Sequence, residues 1–227
     1  MKKGMAFLLV LGVFVFVGTN AHALPIAVGD RVKVNSYGPS VFGDHGGEYA
    51  MEADNGYTWT TYCIEKHENI NPDNWDWVGN ITDQAIEGNG NDDQSESGYD
   101  SLSDESAWLF WNYSQGSLSG YTTGTPQNEA DLQGLLWYLE DEVSDDQSLT
   151  SGMQTWLTAA NNAVTGGWTN NGNVMVLNLY NTKNSDGTYS GFRQDILISV
   201  PDASTMFLLG PALLFLGLLG RRRKKSD

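Results

Sequence analysis

Hydrophobic and polar positions alternate most clearly between Tyr57 and Ile64. There Tyr57, Trp59, Thr61 and Cys63 fall on one face, and Thr58, Thr60, Tyr62 and Ile64 on the other. A period of two is that of a β-strand with two differently placed faces. Shorter β-compatible stretches run from Ile26 to Val34 and from Glu48 to Ala53, bounded by Gly and Asn. Val174 to Leu179 and Ile196 to Val200 read as late strands. Between Asn69 and Ser101 the chain is polar and acidic, and its GNGNDDQSESGYDS stretch predicts a surface loop.

The period then lengthens. Ser103 can cap a helix that opens with Asp104 and Glu105, acids placed at the positive end of the helix dipole. Ala107, Phe110 and Trp111 share one face of it, widened by Trp108 and Leu109. Asn128 is the expected cap of a second helix running through Glu142, with Leu132, Leu135, Leu136, Leu139 and Val143 as its apolar stripe. Gln133 borders that stripe, and Trp137 follows it at i+4. A third helix, Thr150 to Val164, gathers Met153, Trp156, Leu157, Ala160 and Val164, and Gly166 stops it. The predicted class is α+β: a strand-rich single domain over residues 24–199 with about three helices.

The two termini have a different character. Lys2 and Lys3 precede an apolar run from Met5 to Val17, and Ala21-His22-Ala23 is a small-x-small site. This is the pattern of a secretory signal peptide over residues 1–23, cut after Ala23. No Cys follows the cut, so lipid anchoring at that end is not expected. A second apolar run, Met206 to Leu219, precedes Arg221, Arg222, Arg223, Lys224 and Lys225. As a helix its 14 residues reach about 21 Å, which neutral flanks must extend to cross a membrane. The basic cluster would stay on the cytoplasmic side of that transmembrane helix, leaving residues 24–199 outside.

Charge narrows the choice of partners. Of the 12 Lys and Arg, only Arg31, Lys33, Lys66, Lys183 and Arg193 lie within residues 24–199, against 26 acids, a net charge near −21. A domain this acidic repels a phosphate backbone, which excludes nucleic acid as a partner. With one Cys and only His45 and His67 outside the leader, a zinc site is not expected. Asp92, Asp93, Glu96 and Asp100 could ligate calcium, but their spacing matches no EF-hand loop, so a solvated loop with no metal or cofactor is the expectation. Glu140, Asp141 and Glu142 point in different directions on a helix and read as a solvated face. Cys63 and His67 on one extended strand lie too far apart to form a nucleophile–base pair. No phosphate-cradling Gly motif or nucleophile elbow is present, so the chain is not expected to be an enzyme.

Cys63 remains the candidate for chemistry, since a lone Cys in an exported chain cannot close an intramolecular disulfide. Its segment, Tyr62-Cys63-Ile64, precedes Ala107-Trp108-Leu109-Phe110-Trp111 and Leu132-Gln133-Gly134-Leu135-Leu136-Trp137. In that order the three segments resemble bacterial thioester domains, although Leu132 and Leu135 replace the usual Thr and Ala. The resemblance implies a bond between the Cys63 sulfur and the Gln133 side-chain carbonyl, open to attack by an amine, with Tyr57, Trp59, Tyr62 and Trp137 around it. The tail is similar to a PEP-CTERM sorting signal: Val200-Pro201-Asp202-Ala203-Ser204-Thr205, the apolar run, then the basic cluster. Asp202 and Ala203 stand where that signal usually has Glu and Pro. This resemblance implies handling by an exosortase-type membrane enzyme and display at the envelope of a Gram-negative bacterium. Tyr62-Cys63-Ile64-Glu65 and Trp137-Tyr138-Leu139-Glu140-Asp141-Glu142 are also similar to segments of PEP-CTERM surface proteins of unassigned activity.

Two functions stay open on these residues. One is an adhesin coupling covalently to an amine-bearing surface protein. The other is a non-reactive protein of the extracellular matrix associated with polysaccharide, in which Cys63 is a buried thiol packed as a small hydrophobe. In that second reading Gln133 is a polar helix-edge residue, and the aromatic residues are core.

Overall fold

The computed structural model describes residues 24–42, 44–66, 68–72, 74–86, 98–143 and 147–200, without the side chains of 44 and 45. Ala23, the leader, and the tail from Pro201, including Asp202, Ser204, Thr205 and the expected transmembrane run, lie outside the described residues. Among the described residues no helix is long and apolar enough to cross a membrane. They belong to one compact unit, Leu24–Asp202.

The described residues form ten strands and three helices: β1 (Arg31–Ser36), β2 (Ser40–Val41), β3 (Asp44–His45), β4 (Tyr49–Ala53), β5 (Thr58–Thr61), β6 (Asp76–Thr82), β7 (Gln84–Ala85), β8 (Asp100–Ser101), α1 (Asp104–Ser114), α2 (Pro126–Leu139), α3 (Ser151–Thr165), β9 (Val174–Lys183) and β10 (Tyr189–Ser199). Six strands form one sheet in the order β10-β9-β6-β1-β4-β5, and every pairing in it is antiparallel. The α+β class with three helices stands.

The two edges of this sheet meet. Beyond Thr61 the chain leaves β4 and turns to β10, where Cys63 bridges Ile196 in antiparallel fashion. Leu197 N–H donates to Tyr62 O at 3.1 Å and Ile64 N–H to Asp195 O at 3.1 Å, while the Thr61 hydroxyl donates to Leu197 O. With six alternating strands the two edges run antiparallel, and these bonds join them into a barrel along residues 62–64 and 195–197.

Inside the barrel Val32, Val34, Met51, Ala53, Val78, Leu177, Leu179, Ile196 and Ile198 form one buried cluster, joined by Cys63 and Tyr49. The three helices cover the outside, against Tyr62, Ile64, Val176 and Leu197, in a second cluster. The alternation read at Tyr57–Ile64 thus sorts Cys63 inward and its two neighbours toward the helices. Trp137 of α2 instead belongs to the barrel cluster, against which Ala130 of the same helix also packs.

Several boundaries differ from expectation for identifiable reasons. The second helix starts at Pro126 after Thr125, not at Asn128, since Pro suits the first helical position. Asn128 instead accepts a bond from Thr122 N–H at 3.0 Å. The helix ends at Leu139 rather than Glu142, because Asp141 takes a left-handed φ of 59° and Glu142 N–H bonds back to Trp137 O at 2.8 Å. That turn sends Glu140 inward instead of onto a solvated face. Its carboxylate accepts from the Ser103 hydroxyl at 2.6 Å and from Ser103 N–H at 3.3 Å, tying the end of α2 to the cap of α1. The polar stretch Asn69–Ser101, in which no strand is expected, contains β6, a central strand paired with both β1 and β9, and the expected loop at its end closes in the short β8. β9 and β10 are longer than predicted and join through a turn in which Gly187 adopts a φ of 88°.

Burial pushes several acids up: Asp195 and Glu140 each to about 7, and Asp76 to about 6 despite the Arg193 ion pair at 3.6 Å. Each ordinarily titrates at 3.8 or 4.5, so the folded form holds its proton more tightly than the unfolded chain. Their contribution is therefore fully favourable below about pH 4 and is lost as pH climbs through 6 to 7. The unfolding midpoint should rise on going from about pH 8 to about pH 5, measured by calorimetry; a flat or falling midpoint would contradict this assignment.

Candidate functional site

Cys63 sits where the barrel closes, and the geometry of closure decides what its backbone can reach. In the Cys63–Ile196 pair the bridging bonds are made by residues 62 and 64, so the N–H and C=O of Cys63 point away from β10. On that other side β4 has already left. The buried Gln133 side chain of α2 fills the gap. Cys63 N–H donates to Gln133 Oε1 at 3.2 Å, and Gln133 Nε2 donates to Cys63 O at 2.8 Å. The amide thus pairs with the cysteine backbone as another strand would.

The same arrangement brings the sulfur to the amide. Cys63 Sγ lies 3.2 Å from Gln133 Oε1 and 3.7 Å from the Tyr49 hydroxyl oxygen. A thiol has one proton, so these two oxygens are alternative destinations for it. Trp137 lies one turn after Gln133, and among the described residues its indole N–H has no hydrogen-bond partner. Cys63, Gln133 and Trp137 are all 0% exposed. Burial pushes the Cys63 thiol up to about 12, partly offset by the Tyr49 hydroxyl and the cysteine's own backbone N–H. The thiol therefore carries its proton at neutral pH, and any attack by sulfur has to hand that proton on.

Gly46 presses on this site from the chain between β3 and β4. A Cβ at that position would lie 3.0 Å from both Gln133 Cγ and Trp137 Cη2, so any larger residue must push these two side chains back by a few tenths of an ångström.

Of the residues expected around the sulfur, Trp137 is in place. Tyr57 and Trp59 pack against the barrel cluster but are only half-buried, stacked on each other at 5.5 Å. Tyr62 faces the helices, and its hydroxyl lies 2.8 Å from that of Tyr121. From there the contacts pass to Glu48, which accepts from Tyr121 at 3.1 Å and from Tyr113 at 2.6 Å. Tyr49 is the residue that the pattern reading missed; its place beside Met51 and Ala53 on the buried face of β4 was the available signal. His67, and Asp92, Asp93 and Glu96 of the acidic loop, lie outside the described residues. Among the described residues no group of acids, His and Cys could hold a metal ion. Val200, the first residue of the tail motif, is buried, with its N–H on Asn173 O at 2.8 Å.

Comparison with family models, with curated proteins and with solved structures finds no match to this chain.

Gln133→Ala would strand both backbone groups of Cys63 in a dry interior. The expected loss is about 1–3 kcal/mol for each group, read from urea unfolding. An unchanged midpoint would show that the amide does not hold the closure.

Proposed function

We propose that the domain forms an internal thioester between Cys63 and Gln133 and serves as a covalent surface adhesin. The observation that carries this reading is the sulfur held 3.2 Å from the oxygen of a buried amide that is pinned at both ends. Held reactants of this kind react as if at very high concentration. Sulfur adds to the Gln133 side-chain carbon, and the developing oxyanion is held by Cys63 N–H, already bonded to that oxygen. The thiol proton passes to the departing nitrogen, which leaves as ammonia, and the S–C bond remains. An incoming primary amine, such as a Lys of another protein, reverses the geometry: its nitrogen bonds to the carbonyl carbon, the C–S bond breaks, and one amine proton passes to the departing sulfur, leaving an amide at Gln133 and a free Cys63 thiol. Tyr49 O–H and Trp137 N–H steady the charge on sulfur in both directions. Each molecule reacts once.

The terminal segments support export and envelope display: residues 1–23 as leader, and Val200 onward as a PEP-CTERM-like signal read by an exosortase-type enzyme, with a membrane helix behind it. A non-reactive matrix protein is the second reading. It is favoured by the fact that the Gln133–Cys63 pairing alone satisfies buried backbone groups.

Intact mass separates the two. The purified protein should weigh one ammonia less than its sequence, gain methylamine on incubation, and lose both properties in Cys63→Ala. A full mass with a titratable thiol would sink the adhesin reading. Tyr49→Phe should slow methylamine capture about tenfold or more while leaving the fold intact, measured by timed mass spectra.

A further inference from the structure

The outer face of the barrel gathers a feature that the sulfur chemistry does not use. In β1, β6, β9 and β10, Arg31 pairs in register with Trp77, Trp77 with Tyr180, and Tyr180 with Phe192. Val32, Val78 and Leu179 belong to the interior cluster, so these four neighbours point outward as one row across the strands. Three strand spacings make the row about 14 Å long. Gly79 permits it: a Cβ there would run into the Tyr180 ring, which lies over the glycine.

Cations are held on these rings. The Arg31 guanidinium lies 5.5 Å from the rings of both Trp75 and Trp77, and Lys33 Nζ lies 5.1 Å from Trp75. Lys183 Nζ sits 5.1 Å from Trp77 and 5.6 Å from Tyr189. Three of the five cations in a domain of net charge near −21 therefore share one face. Arg31 and Lys33 are partly neutralised by Asp54 and Glu52, each at 3.3 Å, whereas Lys183 makes no ion pair among the described residues. Phe192 is 44% exposed, Trp75, Trp77 and Tyr189 are half-buried, and Tyr180 is buried at 9% exposure, packed against Tyr189 and Phe192.

We propose that this face binds an acidic polysaccharide, with sugar rings lying along the aromatic row and their carboxylates on Arg31, Lys33 and Lys183. The charge pattern selects an anion, and the partly exposed rings of Trp75, Trp77, Tyr189 and Phe192 select a ligand with flat, partly apolar faces. β1, β6 and β9 each lie between two neighbouring strands of the sheet, so this face offers a peptide no sheet edge to extend. Nucleic acid, with one charge per about 1.7 Å, is repelled by the rest of the domain. A uronic acid polymer, charged only once per sugar or less, meets the cations without that density.

The inference is independent of the thioester. Titration of the full-length protein with labelled oligogalacturonate should give binding that weakens with salt and survives in Cys63→Ala. Lys183→Glu, a change at an exposed position, and Trp77→Ala should each weaken it about tenfold or more. A neutral glucan of equal length and poly-glutamate should bind about tenfold more weakly or worse. Unchanged affinity in Lys183→Glu, or equal binding of either control polymer, overturns the proposal.

Discussion

The amide of Gln133 bonded to the backbone of Cys63 is the joint on which this structure depends. A six-stranded antiparallel sheet can close only if its last strand serves two neighbours, and here a single short strand divides that work along its length. Thr58–Thr61 pair with β4, and residues 62–64 pair with β10. At the changeover the backbone of Cys63 faces neither strand, and burial makes an unpaired N–H or C=O costly. A helix side chain with both a donor and an acceptor solves this, and among uncharged side chains of that reach glutamine carries both. Barrel closure, the position of α2 and the approach of sulfur to amide are therefore one geometric fact.

Other polar joints follow the same logic. Glu140 caps α1 from the end of α2, and Asp195 gathers Ile86 N–H at 2.6 Å, Asn178 Nδ2 at 2.7 Å and Leu179 N–H at 3.3 Å. Glu65, two residues after the cysteine, is buried near Glu142, Glu68 and Asp195, which with its burial raise its pKa. Burying so many carboxyl groups favours their protonated forms, so the interior of this acidic domain is best suited to mildly acidic surroundings.

Much of this was legible in the chain because local signals agreed with tertiary demands. Ser103 caps α1 through its side chain, α3 stops at the expected Gly166 although the left-handed turn falls one residue later at Gly167, and the alternation at Tyr57–Ile64 sorts inward from outward side chains. β6 was hidden for a physical reason. Its Asp76, Gly79 and Asn80 are poor strand formers, and a register shift between Val78 and Asn80 breaks the period of two. What made it a strand was its neighbours on both sides, which no local pattern records. Tyr49 was overlooked for a related reason: its side chain matters through a residue 14 positions away, across the barrel interior.

The environment of the sulfur bears on why such a site would be placed here at all. A thiol pushed up to about 12 is a poor free nucleophile, and an exposed reactive cysteine would be a better general one. Burial is instead what a thioester needs, because water is the commonest competing nucleophile and a dry pocket holds it off. The features that make Cys63 inert toward solvent are those that would preserve a bond to Gln133. Both partners are fully enclosed, Gly46 seals the amide, and the Trp137 N–H is left without an oxygen to satisfy it. A donor kept unpaired beside a sulfur gains its full value only when that sulfur carries negative charge, as it does when it is displaced.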